Sequence, residues 1–292
     1  MLGELAALSA SALWAVASVL FTRVGDHLSA PALNLSKTTL AGVLLFATLV
    51  VTQGTYWPPD LTPAETGWLA ASGIIGLTIG DTLMFKAFEQ IGPRRTLLFT
   101  ALAPPLTAAI AWPVLGEPVS MLMAVGIAIT VGGVAWVVSE RAGVGPTSVS
   151  SWSGYGFAAG AAVCQALGNI ATKLGGTHTG LELSVTRVAF GVLALWIYIA
   201  WRYNLRQQLR PLFTPNVLRT VVVATLLGTY LGIWLQVTGL RYAPAGIAST
   251  LSSTSPIFIL PLSALFLGER IDVRAIGAAF VAVAGIALLC LG

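Results

Sequence analysis

The stretch "APPLTAAIAWPVLGE" (residues 103–117) recurs as "SPIFILPLSALFLGE" (residues 255–269), and this recurrence decides how the chain is organised. Each copy begins with a small residue and a proline, continues through apolar residues and ends in Gly-Glu. The glycine follows Pro104 and Pro256 at the same distance. A proline within an apolar, otherwise helical segment removes a backbone donor and clashes with the preceding turn. The recurrence therefore predicts two interrupted helices at equivalent places in a repeated unit.

The composition excludes a water-soluble globular protein. Of the 292 residues, 56% are hydrophobic and only 9% are charged, and the mean hydropathy is +0.86. Soluble domains carry about 25% charged residues. A chain of this kind would expose too much apolar surface in water, so we expect a polytopic membrane protein embedded in the lipid bilayer.

The charged and reactive residues argue against several other classes. The net charge of +4 comes from scattered Lys and Arg without a basic, aromatic-interleaved cluster, so no nucleic-acid partner is expected. Two cysteines and two histidines give no metal-ligand or redox spacing. Without a Walker-type phosphate loop, ATP coupling within this chain is not expected. A membrane-embedded enzyme would need a catalytic constellation that these residues do not supply.

Ten stretches are long and apolar enough to cross a membrane, since a spanning helix needs about 20 such residues. They are residues 3–22, 32–52, 65–86, 94–115, 118–139, 154–174, 180–201, 217–239, 243–267 and 271–291. A connection rich in Gly, Pro and Ser divides them into two sets of five. The predicted units are a first repeat (1–140), a connecting loop (141–153) and a second repeat (154–292).

Further matches between the two units support the repeat. An offset of 152 residues relates Gly76 to Gly228 and Gly80 to Gly232, and an offset of 150 relates Lys37 to Arg187. Because each unit has an odd number of spans, the second unit enters the membrane from the opposite side. The predicted fold is thus an all-α membrane protein with ten transmembrane helices as two inverted five-helix repeats. This architecture is typical of secondary transporters.

The motifs resemble those of the EamA-type drug/metabolite transporter superfamily over essentially the whole chain. They are "ALWAVASVLFTR" in the first span, a basic residue early in the second, "GDTLMFKAFEQIGP" at the end of the third and the two proline phrases. The resemblance implies a ten-helix carrier of the cell (inner) membrane that exports amino acids or other small metabolites, with no cofactor and no metal. We expect a monomer or weak homodimer, with protons as a candidate coupling ion.

Two interpretations of the orientation remain open. Most Lys and Arg residues lie in the odd-numbered connections, so the positive-inside rule places those connections in the cytoplasm and both termini outside. The resemblance instead implies termini in the cytoplasm.

Three charged residues within predicted spans are candidates for coupling or gating. Asp81 is interpreted as a proton-coupling or cation-binding carboxylate, or as the structural partner of a basic residue. Lys37 and Arg187 occupy matching places in the two units and could bind a substrate carboxylate or form gate salt bridges. The alternative for both is that they reach to the nearest interface. Pro104 and Pro256 are the predicted helix interruptions of the gating helices.

Further polar and aromatic residues are candidates for substrate binding. Gln165 and Asn169 share one helix face, as do Tyr230 and Trp234. Trp14 lies in the middle of the first span, and Ser252 belongs to the hydroxyl-rich "STLSSTS" (249–255). Such a cavity suits a zwitterionic or cationic solute. Helix–helix packing is the alternative for the amide and aromatic residues, and a hydrogen bond back to its own helix is the alternative for Ser252. A membrane channel or a non-transporting membrane protein remains the alternative to a carrier that works by alternating access.

Overall fold

The chain folds into a bundle of long helices. The computed structural model describes residues 2–126 and 152–255, together with short pieces beyond them. The long helices are α1 (Leu2–Gly25), α2 (Ala30–Gln53), α3 (Pro63–Pro93), α4 (Arg95–Leu115), α6 (Trp152–Leu174), α7 (Gly180–Arg202) and α8 (Pro215–Tyr242). The shorter segments include α5 (121–126) and α9 (Ala245–Ser252), with a short helix and a 3-10 turn at Leu205–Leu209 and Arg210–Phe213 between α7 and α8. Parts of the fifth and ninth predicted spans, most of the tenth, and Pro256 lie outside the described residues.

The helices identify a multi-pass membrane protein. Within the described ranges, six helices are long and apolar enough to cross a membrane, namely α1, α2, α3, α4, α7 and α8. Large apolar side chains such as Val51, Ile197 and Trp201 are exposed on their outer faces. Lipid, which replaces water around such faces, accounts for this exposure. The described residues contain helices, turns and bends and no strand, so the all-α class is confirmed for them.

Local sequence signals account for the helix starts. Thr62 and Glu65 form a reciprocal capping box at the start of α3, with Pro63 in the first turn. Thr179 and Glu182 repeat this arrangement at the start of α7. In each box, the Thr hydroxyl and the Glu carboxylate accept the backbone N–H groups that a helix start leaves unpaired.

Helices α3 and α8 each contain a π-helical segment at equivalent positions. The segments are Gly73–Gly80 in α3 and Thr225–Leu231 in α8. Their first residues are separated by the same 152-residue offset that relates the glycines of the two units. A π segment widens the helix and changes which side chains face inward, and such segments are frequent at functional sites.

Helix α4 is interrupted where the proline phrase begins. A turn at Ala101 and Leu102 separates two helical pieces, and Pro104 lies in the first turn of the second piece. A proline is tolerated there because its missing N–H would have no intrahelical partner. In the second unit, α9 ends in a turn at Ser253 and Thr254, again 152 residues further along the chain.

Glycines let three helices approach closely in the centre of the bundle. A Cβ added to Gly73 of α3 would lie 2.0 Å from the Arg187 carbonyl oxygen of α7. A Cβ at Gly168 of α6 would lie 3.3 Å from the Gly76 Cα. The backbones of α3 and α6 therefore approach closely at Gly76. This packing brings α3, α6 and α7 together around the central cavity described next.

Candidate functional site

A polar cavity lies in the centre of the bundle, between both units of the chain. Its empty space amounts to about 740 Å³, part of it open to the outside. Three charged side chains line it within the described residues, namely those of Lys37, Asp81 and Arg187. The polar lining residues are Thr100, Gln165, Asn169, Thr229, Gln236, Ser249, Ser252, Ser253 and Ser255. Ionisable groups inside a membrane protein are costly and mark solute or ion pathways by default.

Lys37 and Asp81 form an ion pair within this cavity. The Lys37 Nζ lies 2.5 Å from the Asp81 Oδ2, and both residues are buried. The ammonium group also lies over the rings of Trp14 and Phe85, at 5.9 and 5.4 Å from their centroids. Lys37 therefore does not reach to the membrane interface, and the alternative interpretation of it is wrong. A carboxylate and two aromatic faces hold its charge inside the bundle.

Arg187 is buried in the same cavity without a comparable partner. The residue is 1% exposed, so it does not reach to an interface either. Its Nε and Nη1 have no hydrogen-bond partner within the described residues. The Nη2 end lies in a notch between Gly76 and Gly168, where an added Cβ would come within 2.8 and 3.6 Å of it. The two glycines thus make the space that the guanidinium occupies.

Hydrogen-bonded amides and a hydroxyl line the wall of the cavity that α6 and α9 form. The Gln165 Nε2 donates to the Asn169 Oδ1 at 3.3 Å, and the Asn169 Nδ2 donates to the Ser249 Oγ at 3.2 Å. By contrast, the hydroxyls of Ser252 and Thr229 have no partner within the described residues. The cavity therefore offers fixed polar groups along one wall and free hydroxyls beside them.

Tyr230 and Trp234 lie apart from the other predicted binding residues. Neither is among the described residues that line the cavity. The Tyr230 hydroxyl is 2.8 Å from the Thr48 Oγ1 of α2, and the Tyr230 and Trp234 rings pack 6.1 Å apart. The π segment Thr225–Leu231 changes the helical phase here, so neighbouring residues face the cavity in their place.

The sequence interpretation missed several lining residues on α8 and α9. Thr229, Gln236, Ser249, Ser253 and Ser255 line the cavity but were not among the predicted binding residues. Gln236 carried a usable signal, because a glutamine in an apolar span needs a polar environment. The serines belong to the same hydroxyl-rich stretch (249–255) as Ser252, and the sequence does not show which of its hydroxyls face the cavity.

One of the two predicted gating prolines, Pro104, lies beside this arrangement. Pro104 is buried in the first turn of the second α4 piece, and Thr107, one turn further on, lies 3.3 Å from the Ser249 hydroxyl of α9. Pro256 lies outside the described residues. The turn at Ser253 and Thr254 that precedes it provides cavity-lining Ser253.

A polar cluster joins several helices at one end of the bundle. The Lys173 Nζ at the end of α6 donates to the carbonyl oxygens of Leu240 and Ala243, at 2.9 and 2.6 Å. It also lies 3.7 Å from the Glu117 carboxylate, which accepts the Ala245 N–H at 3.0 Å. Glu117 thus caps the N-terminus of α9 in the other unit, not the helix that follows it in sequence.

Aromatic rings pack together towards the opposite end of the bundle. Phe21, Phe85 and Phe88 are buried and stack edge to face, with centroid distances of 5.5 Å (Phe21–Phe85) and 5.6 Å (Phe85–Phe88). On their far side lies a second cavity, which Asp26 and Glu89 also line. Phe85 therefore separates this second cavity from the Lys37 ammonium group of the central one.

Apolar helices that surround a polar, charged cavity define a polytopic membrane protein. The sequence profile of the EamA-like transporter family matches residues 1–139 and residues 152–291. The chain belongs to this family, and it is therefore a membrane transporter and not an enzyme.

Two other proteins are similar to this chain over most of its length. A probable terminal-alkyne amino-acid exporter of Streptantibioticus cattleyicolor is 26% identical over 277 residues, which cover 91% of this chain and 86% of that protein. A solved crystal structure matches with a TM-score of 0.71 at 18% identity, covering 99% of this chain and 96% of the other. The second likeness shows the fold alone.

Proposed function

We propose that the protein is a secondary transporter of the cell (inner) membrane that exports small organic metabolites, such as amino acids, by alternating access. The observation that carries this proposal is the central cavity. It places Lys37, Asp81 and Arg187 together with amides and hydroxyls inside an apolar bundle. These groups are complementary to the charged and polar groups of an amino acid. The similar exporter, whose name specifies an amino-acid solute, supports the substrate class.

The transporting unit in this proposal is a pair of inverted five-helix repeats. Three observations support it: the family profile matches two segments, the two π segments recur at the repeat offset, and so do the turns in α4 and after α9. Rocking of one repeat against the other would expose the cavity to each side in turn. The Lys173–Glu117 cluster and the Phe21–Phe85–Phe88 rings then open alternately at the two ends.

Asp81 is the proposed proton-coupling residue. Protonation of its carboxylate removes the negative charge that holds the Lys37 ammonium group 2.5 Å away. The pair therefore provides a two-state contact between α2 and α3 that a proton gradient can bias.

Solute counterflow in liposomes tests the transport proposal. The purified protein is reconstituted and screened with radiolabelled amino acids, amines and nucleobases. We expect saturable counterflow of at least one amino acid, because a carrier exchanges bound solute in each cycle. Protein-free liposomes provide the control. A large ionic conductance without saturable exchange would contradict a carrier and favour a channel.

A pH gradient tests the coupling proposal separately. With the best solute, Asp81→Asn is expected to lose gradient-driven accumulation while retaining counterflow, which needs no coupling ion. Asp60→Asn, in an exposed loop, is the matched control. If Asp81→Asn keeps full gradient-driven accumulation, Asp81 is not the coupling residue.

A further inference from the structure

We infer that Arg187 is the carboxylate-binding residue of the central cavity, and that the solute carboxylate serves as the counter-ion that the second repeat lacks. This inference rests on the proposed function, because it specifies the chemical class of the transported solute. It makes a negatively charged carboxylate a required part of the solute, whereas an ammonium group is not required.

The burial of Arg187 is the first observation that supports this inference. The residue is 1% exposed, and two of its guanidinium nitrogens have no partner within the described residues. A charged group taken out of water without a counter-ion is strongly destabilised. No carboxylate of the described residues lies within ion-pair distance of it. An anion that enters the cavity would supply both the missing charge and the missing hydrogen-bond acceptors.

Comparison of the two repeats provides the second observation. In the first repeat, Lys37 on α2 pairs with Asp81 on α3. Arg187 on α7 stands in the place of Lys37, and Ile233 on α8 stands in the place of Asp81. Ile233 also lines the cavity. The second repeat thus keeps a cation but has an apolar side chain where the first repeat has a carboxylate. A carboxylate of the bound solute can therefore occupy the place of the missing anion.

The charge balance of the cavity points the same way. Of the three charged lining residues that the structure describes, Lys37 and Asp81 neutralise one another, and Arg187 leaves one positive charge in excess. A planar guanidinium presents parallel N–H donors that match the two oxygens of a carboxylate. The unpartnered hydroxyls of Ser252 and Thr229 can donate to the same group. Lys37, already bound to Asp81, is not the anion site.

A set of four related probes tests the requirement for a carboxylate. The probes are L-leucine, 4-methylpentanoate (leucine without its ammonium group), leucine methyl ester and isoamylamine (leucine without its carboxylate). Binding to the purified protein is measured by thermal stabilisation and by the fluorescence of cavity-lining Trp14. We expect the two carboxylates to bind about 10-fold or more tightly than the ester and the amine. Equal binding of all four probes, or no binding of either carboxylate, would overturn the inference.

Substitutions of Arg187 test whether this residue causes the preference for carboxylate probes. Arg187→Gln is expected to abolish the preference for carboxylates, and Arg187→Lys to retain only part of it, because a lysine keeps the charge but not the paired donors. Arg202→Gln removes an exposed arginine of the same helix and provides the matched control. A full carboxylate preference in Arg187→Gln would show that the anion binds elsewhere.

A carboxylate introduced into the cavity by substitution tests the inference without relying on the stability of the Arg187 variants. Ile233→Asp recreates in the second repeat the pairing of the first. We expect it to raise the melting temperature in the absence of solute, because the carboxylate neutralises Arg187, and to abolish binding of 4-methylpentanoate. An Ile233→Asp protein that still binds this probe with wild-type affinity would contradict the inference.

The binding and transport experiments fail independently of each other. If carboxylate binding depends on Arg187 but no solute shows counterflow, the Arg187 inference is supported and the proposed carrier function is contradicted. Saturable counterflow of an amine that is unchanged in Arg187→Gln would keep the transporter and reject the anion site.

Discussion

Lys37 and Asp81 show how a single pair of residues can hold opposite charges in an apolar bundle. The pair is buried, and the rings of Trp14 and Phe85 flank the ammonium group. Such a pair is a modest source of net stability, because desolvation offsets much of the attraction. Loss of one partner, however, leaves an uncompensated charge. The pair is therefore better understood as a contact that a change of charge can break than as a source of stability.

The first prediction concerns this pair. Asp81→Asn should lower the free energy of unfolding by about 3 kcal/mol, because Lys37 stays buried without its counter-ion. The double variant Lys37→Met/Asp81→Leu should recover most of this loss. The measurement is thermal or denaturant unfolding of the purified protein in detergent, with the exposed Asp60→Asn as control. A double variant as unstable as Asp81→Asn would show that the charge is not the cause.

At the scale of helices, the close contact of α3 with α7 depends on the absence of a side chain. A Cβ at Gly73 would meet the Arg187 carbonyl oxygen at 2.0 Å and the Gly191 backbone nitrogen at 3.0 Å. Backbone atoms cannot move aside as the end of a flexible side chain can. The position of the Arg187 backbone, and hence of its guanidinium, is therefore tied to Gly73.

Gly73→Ala and Gly67→Ala form a matched pair on α3. We expect Gly73→Ala to lower the melting temperature and weaken solute binding, because α3 and α7 must separate. An added Cβ at Gly67 meets nothing within 4 Å, so Gly67→Ala should be neutral or stabilise by up to about 1 kcal/mol through helix propensity. Thermal unfolding of the two variants compares them directly. Equal melting temperatures would show that this contact is not tight.

The Lys173–Glu117 cluster joins the ends of α4 and α6 to the start of α9. Its loss should open this end of the bundle without disturbing the opposite one, because Lys173 satisfies two carbonyl oxygens before α9 begins. Lys173→Met is therefore expected to raise amide hydrogen exchange around residues 240–248, while exchange at the start of α2 stays unchanged. Arg202→Gln is the control. Unchanged exchange around residues 240–248 would argue against a closing role for the cluster.

At the scale of the whole molecule, the proposed mechanism requires that the central cavity open to one side at a time. Ser252 lines the cavity and its hydroxyl is unpartnered within the described residues. A thiol at this position reports access from either side. The native thiols of Cys164 and Cys290 are first removed by substitution with alanine.

Labelling of Ser252→Cys by a membrane-impermeant thiol reagent provides the corresponding prediction. In right-side-out and inside-out vesicles, the rates should differ, and added solute should change them in opposite directions, since solute shifts the population between the two states. An Asp60→Cys variant, in an exposed loop, marks full labelling from its own side. Rapid labelling from both sides, insensitive to solute, would contradict alternating access and favour an open channel.

Much of the candidate site could be predicted from single residues. Polar or aromatic groups in apolar spans need a specific environment, and this argument predicts residues that all line one cavity, namely Trp14, Lys37, Asp81, Gln165, Asn169, Arg187 and Ser252. A spacing of 3.6 residues adds Tyr230 and Trp234 to the prediction. The π segment of α8 breaks that spacing, and no residue in its sequence "TLLGTYL" would predict a π segment.

Composition and hydropathy are enough to predict the membrane environment and the helical class, and the glycine and proline positions are enough to predict the repeat, because these properties act locally. Which charged side chains meet depends on the tertiary structure. Lys37 and Arg187 are equivalent in sequence, yet packing brings a carboxylate to one and leaves the other without a partner among the described residues. Such pairing depends on which helix faces cross, and long-range contacts of this kind are not encoded in the periodicity of any one segment.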